Sequence, residues 1–124
     1  MGDGKRCRLN PKKIFIIGSS FGGPAAILAS RDKRVTKAVA FSPVIDWKAQ
    51  DKTIEPIDWI ARFTRAAFGV GYRFSDSDWN KLKTGKFYSP LADAPKIDVR
   101  KLLIIHSKDD KVVHWRPAQK FAKA

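Results

Sequence analysis

The 124-residue sequence holds one cysteine, one methionine and two histidines, and its 12 acidic residues are outnumbered by 25 basic ones. Each scarcity excludes something. A lone Cys7 forms no internal disulfide, so the chain suits a reducing compartment and a cytoplasmic location is expected. No uninterrupted apolar run approaches the roughly 20 residues of a membrane span, and the basic start leads into no apolar stretch of signal-peptide type. Arg6 occupies the position at which an N-myristoylation signal carries Ser or Thr. Internal repeats and low-complexity tracts are absent as well. No membrane partner is expected.

What is present is a globular composition, 44% hydrophobic, with length for one domain or part of one. The net charge of +13 raises the question of nucleic acid. The basic residues are spread, from Lys5, Arg6, Arg8, Lys12 and Lys13 through Lys81, Lys83 and Lys86 to Lys108, Lys111, Lys120 and Lys123. None forms a dense run interleaved with aromatics, so a solvated basic surface is expected and a nucleic-acid partner is not.

The stretch from Lys12 to Ala29 organises the rest. Ile14-Phe15-Ile16-Ile17 reads as a strand, covered on both faces as in a parallel sheet; Gly22 to about Ser30 reads as a helix. Between them Gly18-Ser19-Ser20-Phe21-Gly22 fits G-x-S-x-G, the nucleophile elbow, in the strand-before, helix-after context that the motif requires. A serine presented above a sheet edge sits on a sharp turn, and Gly18 and Gly22 supply flanks without side chains. The Phe21 N–H, at the start of the helix, is the natural first oxyanion donor. A phosphate-cradling turn is the competing use of such a glycine-rich segment, and a plain Gly/Ser loop the bland one.

Farther on, Val35–Phe41 reads as a second strand, leading into Ser42-Pro43-Val44-Ile45-Asp46-Trp47. Ile57, Ile60, Ala61, Thr64 and Phe68 fall at helical spacing. Gly71 to Pro95 reads as an irregular, aromatic-rich excursion, Leu102–Ile105 as a third buried strand, and Trp115–Ala124 as a helix beginning near Pro117. The order is that of an α/β fold with right-handed crossovers, a three-stranded parallel sheet flanked by helices, with a helical excursion before the last strand. Ile14–Ile17 would form one sheet edge, a surface for self-association or for a complementing chain.

A serine nucleophile needs a base and a carboxylate that orients it, in the chain order Ser, Asp or Glu, His. Asp110 follows the third strand 90 residues after Ser20, with Asp109 as its neighbour. Four segments taken together, Leu9-Asn10-Pro11-Lys12-Lys13-Ile14 with the elbow, Ser42 to Trp47, Tyr88-Ser89-Pro90-Leu91, and Leu103 to Val113, resemble the catalytic domain of the prolyl oligopeptidase family of serine peptidases, over about Leu9 to Ala118. That family, which includes dipeptidyl and acylaminoacyl peptidases, has the α/β-hydrolase fold. The resemblance implies Ser20 as nucleophile, Phe21 as oxyanion donor, Asp110 as the acid with Asp109 as a turn residue, and Phe21, Val44, Trp47 and Val113 as the apolar substrate pocket. Core packing is an equal alternative for Val44 and Trp47.

The departures are equally specific. The family's catalytic histidine lies farther from the acid than the 14 residues that follow Asp110 here. His106 corresponds to a structural position, and His114 reads as a loop or helix-start residue. Ser107 stands in place of a glycine, and the tyrosines of the dipeptidyl members are absent near Gln50 and Ile54, against dipeptidyl specificity. Residues 11–124 are thus expected to be the C-terminal-side portion of a hydrolase domain, preceded by a flexible segment over 1–10 and inactive alone. Its substrate would be a peptide or small acyl compound, without cofactor or metal. A carboxylesterase or lipase, or a non-catalytic basic binding module, are the alternative functions.

Overall fold

The computed structural model describes residues 8, 10–50 and 57–124. Most of the expected N-terminal segment, and Ile54, lie outside these residues. Three parallel strands, β1 (Ile14–Ser19), β2 (Val35–Phe41) and β3 (Leu102–Ile105), pair in the order β1-β2-β3. Helix α1 (Gly22–Ala29) joins the first two. Between β2 and β3 run α2 (Trp47–Gln50), α3 (Ile57–Phe68), α4 (Asp76–Thr84) and α5 (Pro90–Asp93), and α6 (Arg116–Ala122) follows β3.

β1 continues through Gly18 and Ser19, beyond its apolar run, because its ladder with β2 holds register to Ser19 opposite Phe41. Phe41 in turn lies opposite Ile105. The carboxyl ends of all three strands are therefore level, and the loops leaving them converge, which is where open parallel sheets build sites.

The excursion departs from the expected irregularity. α4 is a nine-residue helix whose signals are at its ends rather than in an apolar stripe. The Ser75 side chain accepts from the Asp78 N–H, Asp76 and Asp78 occupy the first turn, Lys81 and Lys83 the last, and Gly85 closes the helix in the left-handed region at φ 72°. Leu82 is its buried residue. The surrounding turn residues obscured these caps.

The expectation of strands covered on both faces is also corrected. One face carries the core: Ile27 of α1, Ala40, Ile45, and Ala118 and Phe121 of α6 pack with Leu102 and Ile104. On the other face Phe15 and Ile17 are 64% and 72% exposed, and Leu103 and Ile105 are exposed too. The reason is topological. Strands added in one direction through right-handed crossovers place every connection on the same side of the sheet. Ile17, Val39 and Leu103 are aligned in register across the open side, giving a contiguous apolar surface. Replacing Phe15 and Ile17 together by threonine, which favours strand as both parent residues do, is expected to lower the fluorescence of a bound naphthalene sulfonate dye about twofold or more. Unchanged dye binding would place the exposed surface elsewhere.

Candidate active site

Ser20 is held at the carboxyl end of β1 with φ 51°. For a residue with a Cβ this region is uncommon, costing on the order of 1–3 kcal/mol where the surroundings impose it. Two bonds do so: the Ser20 N–H donates to the Phe41 carbonyl at 3.0 Å, prolonging the β1–β2 ladder by one residue, and the Gly23 N–H donates to the Ser20 carbonyl at 3.0 Å. Phe21 then caps α1; the Gly23 N–H is taken by Ser20 and Pro24 has no N–H, so the donors at the helix start are the Phe21 and Gly22 N–H groups.

The glycines share this work differently from the expected pattern. A Cβ on Gly18 would lie 2.1 Å from the Gly22 carbonyl oxygen and 2.9 Å from the Ala26 Cβ, so strand and helix do meet at Gly18. A Cβ on Gly22 would meet nothing within 4 Å. The second close approach is at Gly23, where a Cβ would lie 2.4 Å from the Pro43 Cβ. Gly22 contributes its backbone; Gly23 carries the steric demand.

The loop after β3 is built around Asp110. Its Oδ1 accepts the N–H groups of Val112 and Val113, both at 2.9 Å. Burial pushes this carboxyl upward, but the Val113 N–H, the Ser42 hydroxyl, the Val112 N–H and nearby His106 together hold it below the usual carboxylate range. His106, nearly buried, donates from Nε2 to the Val113 carbonyl at 2.9 Å, with Asp110 Oδ2 at 3.5 Å. Gln50 Nε2 donates to the Val112 carbonyl at 2.7 Å, tying α2 to the same turn. Asp109 is exposed and accepts from the Ser107 hydroxyl.

A cavity of about 580 Å³ brings these parts together. Ser20, Phe21, Val44 and Val113 all line it, as do Val112 and Gln50. Trp47 is placed differently. It is buried with Val44, Leu82 and Val113, donates its indole N–H to the Tyr88 carbonyl at 2.9 Å, and backs the Phe21 ring at 5.2 Å. It lines an adjacent cavity of about 390 Å³ on the other side of Phe21.

Neither histidine lines the Ser20 cavity. His106 is bound to the acid turn, and His114 Nδ1 accepts the Arg116 N–H at 3.2 Å. Sequence reasoning missed Ser42, a second non-glycine residue at positive φ, 41°, whose N–H donates to Ile105 while its hydroxyl reaches Asp110. Its place one residue past β2, level with Ser20 and His106, was the available signal. Among the described residues no cluster of three or more His, Cys, Asp or Glu could hold a metal, and no helix is long and apolar enough to cross a membrane.

A hydroxyl at the carboxyl end of a parallel strand, the start of the helix that follows it, and a turn organised by a carboxylate meet around one apolar cavity. No curated protein matches the chain. The family model of the prolyl oligopeptidase family matches residues 5–124, nearly the whole sequence and both halves of this site, and the chain belongs to that serine peptidase family of α/β-hydrolase fold.

Proposed function

We propose that this chain carries the nucleophile and acid of a serine hydrolase that cleaves peptide or acyl-peptide bonds in the cytoplasm. The observation that carries the reading is the shared cavity. Ser20 lines it from the elbow, and Val112 and Val113, the residues whose N–H groups bind Asp110, line it from the acid turn.

In the reaction Ser20 Oγ attacks the carbonyl, the developing oxyanion meets the Phe21 N–H, and the Ser20 proton passes to a base that Asp110 orients. Neither His106 nor His114 lines the Ser20 cavity, and each is hydrogen-bonded within its own turn, so on this reading neither supplies the base. Turnover by the chain alone is accordingly expected to fall orders of magnitude below that of a complete triad.

Labelling tests the nucleophile without requiring turnover. An alkyl fluorophosphonate at high concentration is expected to add slowly to Ser20, located by mass spectrometry of the digest, and Ser20→Ala is expected to abolish the adduct. An adduct that persists in the variant sinks the assignment.

The engaged histidines and the +13 charge also favour a second reading, a non-catalytic basic module. Nucleic-acid binding that weakens steeply with salt would support it, and weak, salt-independent binding would dismiss it.

A further inference from the structure

A crevice of about 240 Å³ lies between β3 and α6 and shares no lining residue with the Ser20 cavity. Ile104 and His106 form one side, Trp115, Gln119 and Ala122 the other, with Lys108 in the loop that joins them. An apolar cavity of about 150 Å³ already accepts benzene, so this one has room for a ring and a short substituent.

The charge around it has one sign. Lys108 Nζ and the Arg116 guanidinium carbon each lie 6.0 Å from the centre of the Trp115 ring, so two cations stand beside one aromatic wall. Neither pairs with a carboxylate among the described residues, whereas Arg31, Arg65, Lys83 and Lys96 do so elsewhere on the surface. The two acids of the preceding loop are committed to that loop: Asp109 accepts from the Ser107 hydroxyl, and Asp110 from the Val112 and Val113 N–H groups. No carboxylate is among the described lining residues. His106 adds an independent observation. Its side chain is 6% exposed and its Nε2 is bonded to the Val113 carbonyl, yet its Nδ1 is buried with no hydrogen-bond partner among the described residues. An orphaned polar atom on a cavity-lining side chain points to an occupant rather than to plain packing.

We propose that the crevice between β3 and α6 binds a small organic anion, its apolar body against Ile104 and Trp115 and its carboxylate at Lys108, in the field of Arg116. The body covers apolar wall that is otherwise wet. The carboxylate meets two cations that have no other counter-charge, a cation would meet them unpaired, and a neutral head would gain nothing from them. The site is separate from Ser20, and the inference stands whether or not that residue is a nucleophile.

The test is a titration of the full chain with phenylacetate, phenylacetamide, phenethylamine and acetate, followed by amide chemical shifts and by the ring resonances of His106 and Trp115. Phenylacetate is expected to bind about fivefold tighter than the isosteric amide at low salt, with the advantage shrinking as salt is added, and about tenfold tighter than acetate, which lacks the body. Phenethylamine is expected to bind weakest. The shifts are expected at Ile104, His106, Trp115 and Gln119. Lys108→Gln, at an exposed position, is expected to reduce the advantage of the carboxylate over the amide to about twofold while leaving the amide unchanged. Ala122→Phe, also exposed, places a ring where that of the ligand would lie and is expected to weaken phenylacetate about tenfold. Equal affinity for phenylacetate and its amide, acetate binding as well as phenylacetate, or shifts confined to the Ser20 cavity overturns the proposal, as does phenylacetate binding that Ala122→Phe leaves unchanged.

Discussion

Gly18→Ala is expected to destabilise the protein by more than about 3 kcal/mol, while Gly22→Ala stays within about 1 kcal/mol of the parent. Both glycines belong to the same G-x-S-x-G pattern, so composition alone gives no ground for the difference. The packing does. A Cβ on Gly18 would enter the Gly22 carbonyl at 2.1 Å, and both partners are backbone, one in β1 and one in α1, so neither yields by a rotamer change. Relief requires α1 to lift from the sheet, which would uncover Ile27, a fully buried residue of the core cluster. Gly22 stands at the first turn of α1 with open space at its Cβ position and without positive φ. There alanine costs nothing sterically and lowers the entropy of the unfolded chain. Gly23→Ala belongs with Gly18, since its Cβ would lie 2.4 Å from the Pro43 Cβ and 2.7 Å from the Pro43 Cα. Urea denaturation of the three variants measures the order. A Gly22→Ala loss equal to that of Gly18→Ala would show that the elbow is not packed this way.

The same contrast marks how far the site was legible in the sequence. The elbow, the strand ends and the acid turn carry local signals: an apolar run ending in glycine and serine, a proline after β2, paired aspartates after β3. Those signals point to Ser20 and to the pair Asp109 and Asp110, and the resemblance to the prolyl oligopeptidase family singles out Asp110. Which glycine is sterically required depends on where Pro43 arrives from β2, a contact across 20 positions that no local pattern encodes. α4 escaped notice because its information is in Ser75, its charges and Gly85 rather than in apolar periodicity. The open sheet face was hidden for another reason. Phe15, Ile17, Leu103 and Ile105 are as apolar as their buried neighbours Ala38 and Ala40, so an apolar strand reads as covered on both sides whether or not a second layer is present. Ser42 comes within reach of Asp110 only when the ends of β2 and β3 are level.

Asp110→Asn is expected to cost about 1–3 kcal/mol at neutral pH, and the cost is expected to shrink as the pH falls below about 4. The carboxylate is only 16% exposed and anchors the Val112 and Val113 N–H groups and the Ser42 hydroxyl. An amide in its place keeps one acceptor oxygen but loses the charge and sets an NH₂ against one of these donors. The sign of the pH effect follows from the depressed folded-state value of Asp110. Its stabilising contribution is complete above the carboxyl's ordinary range, near pH 4, and is lost as the pH falls through the lower folded value, because the unfolded chain takes up the proton first. The asparagine variant lacks that titration, so parent and variant converge on the acid side. Urea denaturation at pH 7 and pH 3 measures both stabilities; a gap that is constant or widens at pH 3 would remove Asp110 as the anchor of the turn. The consequence for the site is direct, since Val112 and Val113 line the Ser20 cavity. Loosening the turn displaces one wall of the pocket as well as the carboxylate, and ligand affinity in Asp110→Asn should fall together with stability. Ser42→Ala supplies the matching half of a double-mutant cycle, and a coupling on the order of 1 kcal/mol at pH 7 that fades toward pH 3 would join Ser42 to Asp110 in one hydrogen-bonded unit across the ends of β2 and β3.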